Sequence, residues 1–215
     1  SFFDDRQKKI DFLLKLKEQG RSFEAMLLCC CYIEGLANSL YWPCEKSKEN
    51  FVIVLECHGE EEILTCIHTT QLKKFLESSK ASKSKTILKK VSDKLDSNAN
   101  SLHTKDNILS ILKKGLERSE YQWLSEKLWH GTVAAIIYTK IRCQLVHNLI
   151  TSDHLSFDKT TYNGQSIRRI DFDFMYPVLW RILKKAKKIS LSSGKWYGHD
   201  FKNNIDMGNS VTAKI

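Results

Sequence analysis

The sequence predicts an all-α fold, a helical bundle with a small β-hairpin inserted before its last helix. Three observations carry that expectation. The 215 residues include only two prolines and nine glycines, too few chain-breaking residues for a turn-rich sheet protein. Apolar residues recur at helical spacing through most of the chain. Asn163-Gly164 stands between two alternating apolar runs, a strong hairpin signal. A hydrophobic share of 42% is ample for a buried core.

Residues 4–19 read as a charged amphipathic helix with Ile10, Leu13, Leu14 and Lys17 at helical spacing, ended by Gly20. Ser22 is the expected N-cap of a far more apolar helix, which runs through Ala25, Leu28, Cys29, Tyr32, Ile33, Leu36, Ala37 and Leu40 to a stop at Trp42-Pro43. Apolar nearly all round, it belongs at the centre of the bundle. Glu34 is the exception within it. A carboxylate there must either meet a cation in a structural ion pair or face a polar cleft and support a site. Residues 51–55 hold β-branched side chains that suit a strand, but Ser47 ahead of Phe51, Val52 and Leu55 favours a capped helix.

Residues 73–104 read as a basic, partly flexible insertion. Lys73, Lys74, Lys80, Lys83, Lys85, Lys89, Lys90 and Lys94 outnumber Glu77 and Asp93, and Ser78, Ser79, Ser82 and Ser84 give its first part the look of a linker. A solvated loop is the plain reading of it, contact with a polyanion the functional one. Helices are expected over 106–116 and 121–128, followed by a long one from Thr132 to Ile150. The hairpin occupies 155–172. A last helix over 174–189 sets Val178, Leu179, Ile182, Leu183 and Ala186 against Lys184, Lys185, Lys187 and Lys188. Residues 1–190 thus read as one helical domain and 191–215 as a loose tail.

The net charge of +9 and pI near 9.1 favour polyanionic partners, RNA among them, although a solvated lysine surface accounts for the same numbers. Seven cysteines, with Cys29, Cys30 and Cys31 consecutive, do not form a spaced disulfide framework and read as reduced core thiols of a cytoplasmic protein. Met26 to Leu40 comes closest to a membrane span but is interrupted by Glu34 and Asn38, so no membrane contact is expected. A first residue of serine with no signal-peptide pattern after it fits a soluble protein or a trimmed piece of a longer one. Cys57, His58, Cys66 and His68 lack the spacing of a closed zinc site, and neither metal nor cofactor is expected.

The segment Lys140-Ile141-Arg142-Cys143-Gln144-Leu145-Val146-His147-Asn148 carries the chemistry. Tyr138, Ile141, Leu145 and Leu149 cluster on one side of its helix, at about 100° per residue, and should enter the core. Thr139, Arg142, Cys143, Val146, His147 and Ile150 form a second, smaller face. Arg142 and His147 diverge by about 140° and about 7.5 Å along the axis, too far for one helix to close both on one phosphate. Two copies of the helix packed through Thr139, Cys143 and Val146 would line a shared cleft, so a homodimer through 139–150 is the expected active unit. RNA suits such a pair, because its 2′-hydroxyl is a built-in nucleophile. A histidine moves protons near neutral pH, and an arginine stabilises charge on the phosphate.

Arg142, four intervening residues and His147, on a late helix of an all-α bundle, resemble the signature of the HEPN superfamily (higher eukaryotes and prokaryotes nucleotide-binding). The apolar stretch Tyr32-Ile33-Glu34-Gly35-Leu36-Ala37 looks like that family's early helix, which often bears a polar residue directed at the site, here Glu34. One departure stands out: the position after the arginine, commonly asparagine, aspartate or histidine, is Cys143. The resemblance implies a HEPN-like bundle and a metal-independent endoribonuclease that leaves a 2′,3′-cyclic phosphate and a 5′-hydroxyl. It also implies a toxin–antitoxin or antiviral defence setting, with an antitoxin or other regulatory partner. Arg142 and His147 would be catalytic, with Glu34, Cys143, Gln144 and Asn148 supporting them. Lys140, Arg168 and Arg169 would extend a basic surface toward RNA, unless they serve only solubility. The family also contains members that have lost catalysis and act as nucleotide-binding or interaction modules. An unrelated helical protein that binds nucleic acid through residues 73–94 is the reading from outside the family.

Overall fold

The computed structural model describes residues 2–41, 46–143, 155–156, 160–162, 165–166 and 169–194. The fold is all-α with a small β insertion. Its contacts divide the chain into two compact units, Ser1–Glu60 with Lys140–Leu155 and Ile170–Ile215, and Glu61–Thr139 with Ser156–Arg169. Reading residues 1–190 as one domain leaves this division out. The units interleave along the chain, so no stretch of linker composition marks where one ends.

Among the described residues the first unit is built from α1 (Phe2–Glu18), α2 (Ser22–Leu40), α3 (Ser47–His58) and the last described helix (Phe172–Ser193), with the end of the motif helix at 140–143. α1, α3 and the last described helix all pack on α2, whose Ala25, Met26, Cys29, Cys30, Ile33, Leu36 and Ala37 are buried, as its near-continuous apolarity requires. Ser22, expected as its N-cap, is already inside the helix, and Arg21 takes the cap position. The cause is the preceding turn. Gly20, at φ +76°, lets its own N–H bond to the Lys17 carbonyl and that of Arg21 to the Leu16 carbonyl, both at 2.9 Å, a Schellman motif that only glycine accepts without strain. Residues 51–55 are helical, and Phe51, Val52, Val54 and Leu55 are buried, so packing overrides the strand preference of their β-branched members. The last helix starts two residues before the expected Phe174 because the Asp171 carboxylate caps it, accepting from the Phe174 N–H at 3.2 Å. It continues through Ser193; residues 195–215, expected as a loose tail, lie outside the described residues.

The second unit holds α4 (Thr69–Ser78), α5 (Ser82–Ser97), α6 (Lys105–Lys113), α7 (Arg118–Lys127) and α8 (Val133–Ile136). Its core contains Ile67, Leu72, Leu76, Ile87, Val91, Leu95, Ile108, Leu112, Leu124 and Leu128. Residues 73–104 are therefore no linker, and the reading of them as a partly flexible loop is corrected. Beneath the lysines run Leu72 and Leu76 on α4, and Ile87, Val91 and Leu95 on α5, each at helical spacing. The buried Ser84 hydroxyl donates to the Leu76 carbonyl at 2.6 Å and closes the turn. Acids more distant in sequence meet the lysines: Lys73 bonds Asp96 at 2.6 Å and Lys90 bonds Glu120 at 2.7 Å.

Short strands lie between these helices. β1 (Ile67–His68) pairs antiparallel with β2 (Leu102–His103), a pair too short to register as an alternating pattern. β3 (Leu155–Ser156) pairs with β6 (Arg169–Ile170). β4 (Thr161–Tyr162) and β5 (Gln165–Ser166) pair antiparallel with Tyr162 opposite Gln165. The last pair flanks Asn163-Gly164 as the dipeptide predicts.

Within the second unit the His68 imidazole is buried, its Nε2 3.2 Å from the Thr160 hydroxyl. Burial, assisted by the Lys74 charge, pushes its pKa down to about 4. The folded pKa lies below the unfolded one, near 6.5, so the unfolded chain binds the extra proton as the solution is acidified. The stabilising contribution is complete above about pH 6.5 and is lost between there and about pH 4, up to about 3 kcal/mol. Urea unfolding at pH 7 and pH 4.5 checks this: His68→Gln should lose less stability than the wild type over that interval, and equal losses would refute the assignment.

Candidate functional site

The helix that starts at Thr132 carries the candidate arginine, and its geometry departs from the even 3.6-residue period. The Thr132 hydroxyl caps it by accepting from the Ala135 N–H at 3.2 Å. After α8 the segment Ile137–Arg142 is π-helical, with wider i→i+5 turns of a kind found often at functional sites. The Thr139 hydroxyl sits inside this stretch, donating to the Ala135 carbonyl at 2.9 Å and approaching that of Ile136 at 3.3 Å. Such back-bonding competes with the regular helical ladder and loosens it locally. Tyr138 and Ile141 are nevertheless buried, while Thr139, Arg142 and Cys143 are partly exposed. The two expected faces are kept as far as Cys143.

In the first unit the Arg142 guanidinium meets Glu34 of α2. Its Nε donates to Glu34 Oε2 at 2.8 Å, and its Nη2 lies 2.7 Å from the same oxygen. The arginine and glutamate side chains are 18% and 12% exposed, so water screens the pair little. Of the two roles open to Glu34, it takes the ion pair, and its partner is the candidate catalytic arginine. Nearby, burial pushes the Cys30 thiol well above the ordinary thiol range and raises that of Cys31; the Arg142 charge pulls the other way on both, and Glu34 adds to the rise. These are neutral thiols.

One turn beyond Glu34, Asn38 continues a polar line along α2. Its Nδ2 donates to the Ser47 hydroxyl, the first residue of α3, at 2.8 Å. The buried Asn50 amide donates to the Tyr41 carbonyl at 3.0 Å and approaches Asn38 Oδ1 at 3.3 Å. The Tyr41 hydroxyl lies 2.9 Å from His58 Nε2. Lys48, next to Ser47, is half-buried, and burial lowers its pKa. Glu34 with Arg142, and one turn on Asn38 with Ser47 and Asn50, thus make two successive polar contacts along α2.

Of the expected site residues, Arg142 and Glu34 are in direct contact, and Cys143 follows Arg142, partly exposed. Lys140 is exposed on the motif helix, and Arg169 is exposed on β6 in the second unit. Gln144, His147, Asn148 and Arg168 lie outside the described residues. Sequence reasoning missed Ser47 and Asn50 as polar partners of α2. The legible signal was the i, i+4 pair Glu34 and Asn38 on an apolar helix, which marks a polar stripe. Among the described residues no group of three or more His, Cys, Asp or Glu side chains is arranged to hold a metal ion.

By length and composition α2 also passes for a membrane span, with a mean hydropathy of 1.2, as the central helix of a bundle can; its buried residues and its ion pair with Arg142 fit the latter. No family model matches the chain, and no curated protein or solved structure is significantly similar to it.

Removing one member of the ion pair strands the other in a poorly solvated place. Glu34→Leu should cost about 2–3 kcal/mol, below the range for a fully buried pair because some solvent reaches Arg142. Restoring neutrality with Glu34→Leu/Arg142→Leu should recover part of the loss, which is the sign of direct coupling. Denaturant unfolding of the two single variants and the double variant measures it, and additive losses would show that the pair contributes nothing.

Proposed function

We propose that this chain is a metal-independent endoribonuclease of the HEPN type, acting in the cytoplasm as a homodimer. The Arg142–Glu34 ion pair carries the reading. Arginine stays charged and offers a planar set of donors to phosphate oxygens. A sheltered carboxylate behind it holds that plane in one orientation before substrate arrives, which removes reorganisation from the reaction step. The substrate 2′-hydroxyl attacks the adjoining phosphorus, and the bond to the 5′-oxygen of the next nucleotide breaks. Arg142 stabilises the charge gathering on the non-bridging oxygens, and His147 moves the proton. The products are a 2′,3′-cyclic phosphate and a 5′-hydroxyl. The second copy of the chain completes the site through residues 139–150, and a regulatory partner in a toxin–antitoxin or antiviral setting restrains it.

The same ion pair supports a second reading, a non-catalytic HEPN-like nucleotide- or RNA-binding module or protein-interaction module. Glu34 already neutralises Arg142 within the chain, and Cys143 replaces the polar residue that usually follows the arginine.

Cleavage of mixed RNAs in excess EDTA separates the two. His147→Ala should abolish cleavage. Arg142→Gln, made together with Glu34→Gln so that no buried charge is stranded, should lower it at least about 100-fold, the usual effect of losing a transition-state charge donor. Both variants should melt as cooperatively as the wild type. A folded, dimeric wild type that leaves every RNA intact would rule out the nuclease and leave the binding module.

A further inference from the structure

Lys184, Lys185, Lys187 and Lys188 fall within five residues of the last described helix, and all four are exposed. At about 100° per residue, Lys184, Lys187 and Lys188 share an arc of about 100°, with Lys185 about 60° beyond its edge. Val178, Leu179, Ile182 and Ala186 are buried on the opposite side, so the core fixes the helix and the lysines form its outer face. Like charges at i, i+3 and i+4 repel, and nothing on the helix offsets them. Its one acid, Asp173, lies at the far end and pairs with Lys17 of α1. The helix runs on through Ser193, which leaves the lysines short of the last turn, where the negative end of the helix dipole favours cations.

Other lysine-bearing helices carry acids as well. α1 interleaves Lys8, Lys9 and Lys15 with Asp4, Asp5, Asp11 and Glu18, and Lys73 and Lys90 are bonded to Asp96 and Glu120. Among the described residues no carboxylate pairs with Lys184, Lys185, Lys187 or Lys188. A row of uncompensated ammonium groups on a rigid helix complements the phosphates of a nucleic-acid strand, which neutralise it. We infer that this face is a docking surface for the sugar–phosphate backbone of single-stranded RNA, built from other residues than the Arg142–Glu34 pair and indifferent to sequence; the choice of RNA among polyanions rests on the ribonuclease reading. A bilayer is the poorer match, because an interfacial helix inserts its apolar side into lipid, and that side is buried here. A protein partner calls for a cluster of apolar or aromatic anchors, whereas Leu191, 68% exposed, is the one exposed large hydrophobic of this helix. The surface takes a task that the ion pair cannot: Glu34 cancels the charge of Arg142, so lysines elsewhere supply the attraction that draws the polyanion in.

The probe is a fluorescein-labelled 2′-O-methyl RNA oligonucleotide of mixed sequence, which binds but has no free 2′-hydroxyl to attack with. Anisotropy titrations at several salt concentrations compare the wild type with Lys184→Gln/Lys187→Gln/Lys188→Gln. Lys8→Gln/Lys9→Gln/Lys15→Gln, which removes three exposed charges from the same unit, is the control. The first variant should weaken binding at least about tenfold and lower the slope of log affinity against log salt by about 2, at about 0.7 for each single-strand phosphate contact. The control and Lys184→Arg/Lys187→Arg/Lys188→Arg should keep the wild-type slope. If the first variant does not melt cooperatively, Lys184→Gln/Lys188→Gln takes its place, with a slope change of about 1.4. On unmodified RNA the charge-removed variant should raise KM more than it lowers kcat. A wild-type slope in that folded variant, or an equal loss in the control, would overturn the assignment even if the protein cleaves RNA. So would a wild type that does not bind the probe, whether or not it binds phosphatidylserine vesicles. A wild type that binds the probe through these lysines but cleaves no RNA would uphold the surface and discard the nuclease.

Discussion

Glu34 sits in the middle of the most apolar of the described helices, and a carboxylate in that place has to meet a cation. Arg142, 108 positions later, is that cation. The pairing ties the central helix of the first unit to the helix that carries the candidate chemistry. Around it lie the shifted thiols of Cys30 and Cys31, and one turn on along α2 the line through Asn38 to Ser47 and Asn50. A low-dielectric surrounding strengthens that bond, so Glu34 holds the orientation of Arg142.

The second unit solves a different problem, how a stretch so rich in lysine folds at all. Its lysines occupy one side of α4 and α5 and its leucines, isoleucine and valine the other, so the apolar side closes a core while the ammonium groups stay hydrated or meet Asp96, Glu117 and Glu120. Long lysine stems tolerate this arrangement because they keep their charged ends in water. What read as excess charge from composition is, in three dimensions, the solvent face of two amphipathic helices. Four serines that suggest a linker serve different ends: Ser84 is buried and clasps Leu76, while Ser78, Ser79 and Ser82 attend the helix ends.

Much of the helical architecture was legible because its signals are local. Gly20 ends α1, the apolar run from Ala25 to Leu40 makes α2 central, and Asn163-Gly164 lies between two paired strands. The signals that failed are those that depend on partners distant in the chain. Asp171 rather than Phe174 sets the start of the last helix, the β1–β2 pair is too short to leave a pattern, and the division into two units follows contacts that no composition change announces. The π-helical turn was equally hidden, since a period of 3.6 was assumed through Thr139.

The sequence by itself determined the all-α class with its β insertion, the positions of most helices, and the fact that Glu34 and Arg142 were the residues to watch. Each of these follows from local spacing or from the expense of a charge on an apolar helix. Only the tertiary structure decided that Glu34 and Arg142 are partners, that Asn38 meets Ser47 and Asn50, and that residues 73–104 contribute to a core. Those outcomes depend on which helix faces meet, and burial, which sets the strength of the Glu34–Arg142 pair, exists only once the faces have met.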